Sequence, residues 1–149
     1  MEFEGLDETA FEALAARLAS RLEPGDVVVL AGEVGAGKTT FVRAAARSLG
    51  VEGRVTSPTY QIARGYEGET NGRPVTVNHL DLYRLEGLED RDALEIDDYL
   101  DRDAITFVEW ADPALGLIEN PTVVRISHQA PSTRRVSVAG PTAERLRAC

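Results

Sequence analysis

Eight consecutive residues, Gly32-Glu33-Val34-Gly35-Ala36-Gly37-Lys38-Thr39, restrict this chain more than any other feature. They spell Gly-x-x-x-x-Gly-Lys-Thr, a loop whose backbone N–H groups turn inward together and which belongs between a strand and a helix. Both neighbours are legible. Val27-Val28-Val29-Leu30-Ala31 is a short β-branched run behind Pro24-Gly25-Asp26, the pattern of a buried parallel strand. Residues 39–49 put Phe41, Ala45 and Leu49 on one helical face and Arg43 and Arg47 on another, with Gly50 as the C-terminal stop. In such a loop the glycines let phosphate oxygens approach the backbone closely. Lys38 brings a point charge to the β- and γ-phosphates, Thr39 offers its hydroxyl to Mg²⁺, and Thr40 reaches the α-phosphate from the first helical turn. The segment therefore predicts a bound nucleotide.

The remaining pattern predicts a three-layer α/β domain whose central sheet mixes parallel and antiparallel strands, spanning residues 1–149 as a single domain. Thr9-Ala10-Phe11-Glu12 has the form of a capping box, with Thr9 as N-cap, and Phe11, Leu14, Ala15, Leu18 and Leu22 then follow helical spacing. Ser57-Pro58 reads as a loop entering a strand over 60–66, Asn71-Gly72 as a turn, and 74–83 as the returning strand of a hairpin. Residues 88–99 predict one or two short helices, 105–110 a second buried strand, and 113–118 a short helix. A hairpin of 122–128 with 135–139 and a closing helix over 142–147 complete the chain.

The 149 residues can bury roughly 70% of their unfolded surface without cross-links. The single cysteine, Cys149, excludes an intramolecular disulfide and points to a reducing cytoplasm. No apolar run approaches the ~20 residues of a membrane span, and Met1-Glu2-Phe3-Glu4 is unlike a signal peptide. The net charge of −9 is uneven: residues 86–103 hold nine acids against Arg91 and Arg102, whereas beyond residue 123 five arginines face Glu144 alone. This balance argues against direct nucleic-acid binding. The acidic stretch is either a solvated helix face or a docking patch for a basic partner.

A phosphate loop needs a carboxylate at the carboxyl end of a neighbouring strand to orient Mg²⁺ or polarise a water. Two acids compete: Glu109, ending Ile105-Thr106-Phe107-Val108-Glu109, and Asp81, within His79-Leu80-Asp81-Leu82-Tyr83-Arg84-Leu85. Arg84 is a candidate transition-state cation acting in cis. Trp110 is expected to pack against the site. His79 and His128 have no second ligand at metal-binding spacing and are expected to be structural.

Together these segments resemble the TsaE (YjeE) family, small bacterial ATPases of tRNA threonylcarbamoyladenosine biosynthesis. The likeness runs through Gly32-Glu33-Val34-Gly35-Ala36-Gly37-Lys38-Thr39-Thr40-Phe41-Val42-Arg43, Val55-Thr56-Ser57-Pro58-Thr59-Tyr60, His79-Leu80-Asp81-Leu82-Tyr83-Arg84-Leu85 and Val108-Glu109-Trp110. The resemblance implies that Gly35, Ala36, Gly37, Lys38, Thr39 and Thr40 hold the phosphates of ATP and that Thr39 and Glu109 bind Mg²⁺. It implies further that Asp81 is needed for hydrolysis and that residues 57–60 are a switch responding to the γ-phosphate. It also implies a TsaB-like and TsaD-like carbamoyl-transferring pair as partners, with tRNA reached only through them, and nucleotide-driven assembly and reset of that complex. Arg134 or Arg135 is expected near the nucleotide, and Glu8 and Thr9 near the adenine. The alternatives are a small-molecule kinase, with Asp81 as base toward a hydroxyl, and a GTP-dependent switch. The latter is disfavoured because no Asn-Lys-x-Asp segment is present to read guanine.

Overall fold

The computed structural model describes residues 1–33, 35–53, 55, 63–83 and 90–148. The element order is β1 (Glu2–Leu6), α1 (Glu8–Ala19), β2 (Val27–Ala31), α2 (Lys38–Ser48), β3 (Ala63–Thr70), β4 (Arg73–Asp81), α3 (Asp90–Tyr99) and β5 (Ala104–Glu109). A 3-10 helix (Asp112–Leu117), β6 (Thr122–Ala130), β7 (Thr133–Ala139) and α4 (Pro141–Arg147) follow. Among the described residues the strands form one sheet in the order β1-β7-β6-β2-β5-β4-β3. Its centre is parallel, with β2 between β5 and β6 and β5 beside β4. Its margins are antiparallel, through β3–β4, β6–β7 and β1–β7.

The strands alternate their side chains between two apolar layers. Val28, Leu30, Val75, Val77, Ile105 and Phe107 meet α1, α2 and α4, whereas Val29, Leu80 and Val108 meet Ile96 of α3 and Ala114 of the 3-10 helix. Helices thus cover both faces, in the predicted three-layer arrangement. Helix α1 buries Phe11, Leu14, Ala15 and Leu18, and Phe11 meets Phe41 of α2 edge to face at 5.6 Å between ring centres.

Two local features differ from the sequence expectation. The N-cap of α1 is Asp7 in place of Thr9: its carboxylate accepts from Ala10 N–H at 2.8 Å and adds negative charge at the positive end of the helix dipole. The second is β1, a strand the sequence pattern did not predict. It completes the sheet edge through backbone pairing with β7, and Phe3 and Leu6 pack against the core. The first hairpin runs over Ala63–Thr70 and Arg73–Asp81, with Asn71 and Gly72 both at positive φ (52° and 77°), as a two-residue turn between twisted strands requires. Residues 60–62 of the expected strand lie outside the described residues.

Candidate functional site

Strand parity assembles the site. In β5, Glu109 shares a face with Ile105 and Phe107, and in β4, His79 and Asp81 share a face with Val75 and Val77; all point to the layer containing α2. Asp81 and Glu109 are register partners at the carboxyl ends of adjacent parallel strands, and β2 delivers the loop beside them. Here β2 leads to α2 on one face of the sheet, while β5 leads to the 3-10 helix on the other. The resulting crevice is where open α/β sheets gather ligands. A cleft of about 400 Å³ opens there, lined by Gly35, Gly37, Lys38, Thr39, Thr40, Asp81, Tyr83, Glu109, Trp110 and Arg134. Ala36, between Gly35 and Gly37 of the lining, is buried.

Helix α2 begins at Lys38, immediately after Gly37, whose φ of 113° is accessible to glycine at little cost. Among the described residues no side chain caps this terminus, and the positive end of the helix dipole faces the cleft. Lys38 is only 5% exposed, and Nζ donates to the carbonyls of Gly32 (2.5 Å) and Glu33 (3.0 Å) with the Trp110 ring centre 4.0 Å away. Burial pushes the Lys38 ammonium below the ordinary lysine range, while Glu109 and Asp81 pull it back up. The Thr39 hydroxyl lies 3.2 and 3.1 Å from the two carboxylate oxygens of Glu109. Glu109, 3% exposed, also meets His79 Nε2 at 2.5 Å. His79 is fully buried, and its Nδ1 has no hydrogen-bond partner among the described residues. Asp81 accepts from Tyr83 N–H at 3.1 Å, and its carboxyl is held above the usual carboxylate range, first by burial and then, against that hydrogen bond, by the charge of Glu109.

Of the two competing acids, Glu109 therefore touches the loop threonine and Asp81 lines the cleft beside it. Trp110 packs over Lys38 and against Tyr83 (4.9 Å between ring centres). Its φ of 57° is unusual for a bulky residue and costs on the order of 1–3 kcal/mol. Both histidines, expected to be structural, have contacts at the site. His79 reaches Glu109, and exposed His128 places Nε2 3.1 Å from the Gly35 carbonyl. The signal for His79 was its even spacing from Asp81 in one strand, which fixes a common face; its contact with Glu109 depends on the β4–β5 register. Of the two arginines, Arg134 lines the cleft and Arg135 pairs on the surface with Glu4 at 2.9 Å. Glu8 and Thr9 are exposed in the first turn of α1, outside the cleft lining. Arg84 and residues 57–60 lie outside the described residues.

The donor set fits a polyphosphate with a hard divalent cation. Among the described residues, a methyl at Gly35 would meet no atom within 4 Å, which leaves room for a ligand against that backbone. The paired Thr39 hydroxyl and Glu109 carboxylate are oxygen donors of the kind Mg²⁺ takes sparingly, completing its shell with phosphate oxygens and water. Among the described residues there is no group of three or more His, Cys, Asp or Glu able to hold a metal by itself.

A family model described as threonylcarbamoyl adenosine biosynthesis protein TsaE matches residues 6–136. The tRNA threonylcarbamoyladenosine biosynthesis protein TsaE of Streptomyces coelicolor is 40% identical over 136 residues, covering 85% of this chain and 88% of that one. Its namesake in Mycobacterium tuberculosis is 38% identical over 131 residues, covering 83% and 77%. In fold, the crystal structure of Bacillus subtilis YdiB superposes with a TM-score of 0.75 over 99% of this chain and 94% of its own, at 24% identity. With the match running through the phosphate loop, the Asp81 strand and Glu109, this chain belongs to the TsaE family.

Proposed function

We propose that the cleft binds ATP with Mg²⁺ and hydrolyses it in support of tRNA threonylcarbamoyladenosine biosynthesis in the cytoplasm. One observation carries the nucleotide reading: the Thr39 hydroxyl rests on the Glu109 carboxylate beside buried Lys38, at the uncapped N-terminus of α2. The pathway reading is supported by the names borne by the relatives. Gly35, Ala36, Gly37, Lys38, Thr39 and Thr40 cradle the phosphates. Lys38 exchanges the Gly32 and Glu33 carbonyls for phosphate oxygens, a swap favoured because its buried ammonium gains a full counter-charge. Thr39 and Glu109 hold the Mg²⁺, which when bound neutralises charge on the β- and γ-phosphates. His79 fixes one Glu109 oxygen, leaving the carboxylate a single orientation toward Thr39. Asp81, whose raised affinity for a proton suits a base, orients the attacking water and accepts its proton.

On this reading the chain acts by nucleotide-driven association with, and reset of, TsaB-like and TsaD-like subunits that carry out the carbamoyl transfer. The net charge of −9 supports a division of labour in which those partners bind the tRNA. The test is ATP turnover alone and with the two subunits, with Lys38→Ala as control. Slow turnover alone, accelerated by the subunits and abolished in the variant, is expected. Fast turnover indifferent to them refutes partner control, and a reconstituted tRNA modification that cycles repeatedly without this chain refutes the pathway assignment.

A further inference from the structure

His128 holds the phosphate loop from outside the cleft. Its Nε2 lies 3.1 Å from the Gly35 carbonyl oxygen, and because a carbonyl only accepts, Nε2 carries the hydrogen and donates. His128 lines a second cavity, of about 480 Å³, along with Gly32, Glu33, Ala36, Arg125 and Ser127. Among the described residues this cavity and the cleft share no lining: Gly35, Gly37 and Lys38 face the cleft, and His128 does not. Across the β6–β7 hairpin His128 is the register partner of Arg134, whose Nε donates to the next loop carbonyl, that of Ala36, at 2.9 Å. One cross-strand pair thus grips two consecutive loop peptides.

A phosphate cradle needs its N–H groups turned in and its carbonyls turned out, since a carbonyl facing the cleft sets the negative end of a peptide dipole against the phosphate. The described carbonyls of the loop all have donors: Lys38 Nζ for Gly32 and Glu33, His128 for Gly35, Arg134 for Ala36, and the Phe41 N–H for Gly37. The glycines differ in what else restrains them. A methyl at Gly32 would come within 2.5 Å of the Ile126 carbonyl oxygen and one at Gly37 within 3.3 Å of Phe11 Cζ, so packing fixes both. Gly35, at a φ of 81°, has no such neighbour within 4 Å among the described residues, so hydrogen bonding and not packing sets its peptide. On the nucleotide reading above, Lys38 leaves its two carbonyls for phosphate oxygens, whereas nothing requires His128 to leave Gly35. We infer that His128 is a positioning residue of the cradle: its N–H pins the Gly35 carbonyl outward and so raises affinity for the phosphates without touching them. This inference rests on the nucleotide reading and adds to it a residue that acts through the loop.

Calorimetric titration of the full chain with ADP and inorganic pyrophosphate tests it. His128→Ala, and His128→Leu, which keeps much of the bulk but no donor, are expected to weaken both ligands alike by about three- to tenfold, the range of one net hydrogen bond. His128→Gln, whose side-chain amide can donate in place of Nε2, is expected to bind within about twofold of wild type. His128 is exposed, so all three replacements keep the fold. If His128→Leu binds as wild type does, the hydrogen bond is not what matters, and if His128→Gln binds as weakly as His128→Leu, the donor is not the cause; either result overturns the inference. Pyrophosphate affinity unchanged while ADP weakens would assign His128 to the nucleoside and overturn it too. Wild-type binding matched by His128→Ala and His128→Leu refutes this inference alone. A wild-type chain that binds neither ADP nor pyrophosphate refutes the nucleotide reading as well.

Discussion

Replacing Gly32 by alanine puts a methyl carbon 2.5 Å from the Ile126 carbonyl oxygen and 3.2 Å from Cβ of Ala36. Carbon and oxygen do not tolerate that approach, so one of the two backbones must retreat by roughly 0.5–1 Å. Neither is free to do so. Ile126 is paired with Val136, and its neighbour Arg125 is paired with Ala31 at the base of the loop. Overpacking of this kind costs about 1–3 kcal/mol, and holding alanine at the φ of 152° observed for Gly32 adds on the order of 1 kcal/mol. For a chain of this length the sum corresponds to a fall of about 5–15 °C in Tm. Gly35→Ala is the matched comparison. Its φ of 81° imposes strain, but among the described residues no atom lies within 4 Å of the added methyl. Its Tm is expected to fall by only about 2–4 °C, while nucleotide affinity drops at least about tenfold because the methyl stands in the phosphate path. Thermal melting monitored by circular dichroism, with ADP titration of each variant, separates the two effects. A Gly32→Ala protein melting within about 2 °C of wild type, or a Gly35→Ala protein that is the less stable of the two, refutes the argument that β6 sterically fixes the loop's entry.

Glu109→Ala is expected to abolish the Mg²⁺-dependent part of nucleotide affinity, whereas Asp81→Ala retains it and loses turnover; titrations with and without Mg²⁺ giving the reverse pattern would exchange the two roles. The carboxyl of Asp81 titrates above its unfolded value, so the native state binds the extra proton and stability falls as pH rises from the ordinary carboxylate value through the raised one. Asp81→Asn removes that dependence: it should match wild type in acid and exceed it at neutral pH, and denaturant unfolding that finds it less stable at pH 7 would contradict the stated burial effect. Phe11→Ala removes a fully buried ring from between Phe41 and Arg134 and should cost about 3–5 kcal/mol. A loss under about 1.5 kcal/mol by urea unfolding would show that α1 and α2 are held together elsewhere.

The central elements were legible because their signals are local. Val27–Ala31 matches the predicted strand at both ends, and the helix expected over 39–49 is Lys38–Ser48. Apolar runs and glycine punctuation depend only on neighbours in sequence, and both survive into the fold unchanged. Strand β1 was not legible. Five residues with two charged side chains have too little apolar alternation to mark a strand, and the partner that orders them lies on β7, more than 120 residues away. The cap of α1 was misplaced for a different reason: Asp7 and Thr9 both suit an N-cap, and only the path of the chain leaving β1 decides which carboxylate or hydroxyl meets a free N–H.

By itself, the sequence determined a Gly-x-x-x-x-Gly-Lys-Thr loop between a buried strand and a helix, with carboxylates at Asp81 and Glu109, because each depends on residue type at fixed local spacing. Tertiary structure decided how those parts share one cleft. The register of β4 against β5 sets Asp81 beside Glu109 and brings His79 to its carboxylate, contacts that no spacing along the chain encodes. The pleat of β7 sends Arg134 to the loop and Arg135 to Glu4 on the opposite face, although the two are identical and adjacent in sequence. The physical reason is that a strand alternates its side chains every residue, so the packing partner that fixes which face is inward also fixes which arginine can meet a ligand.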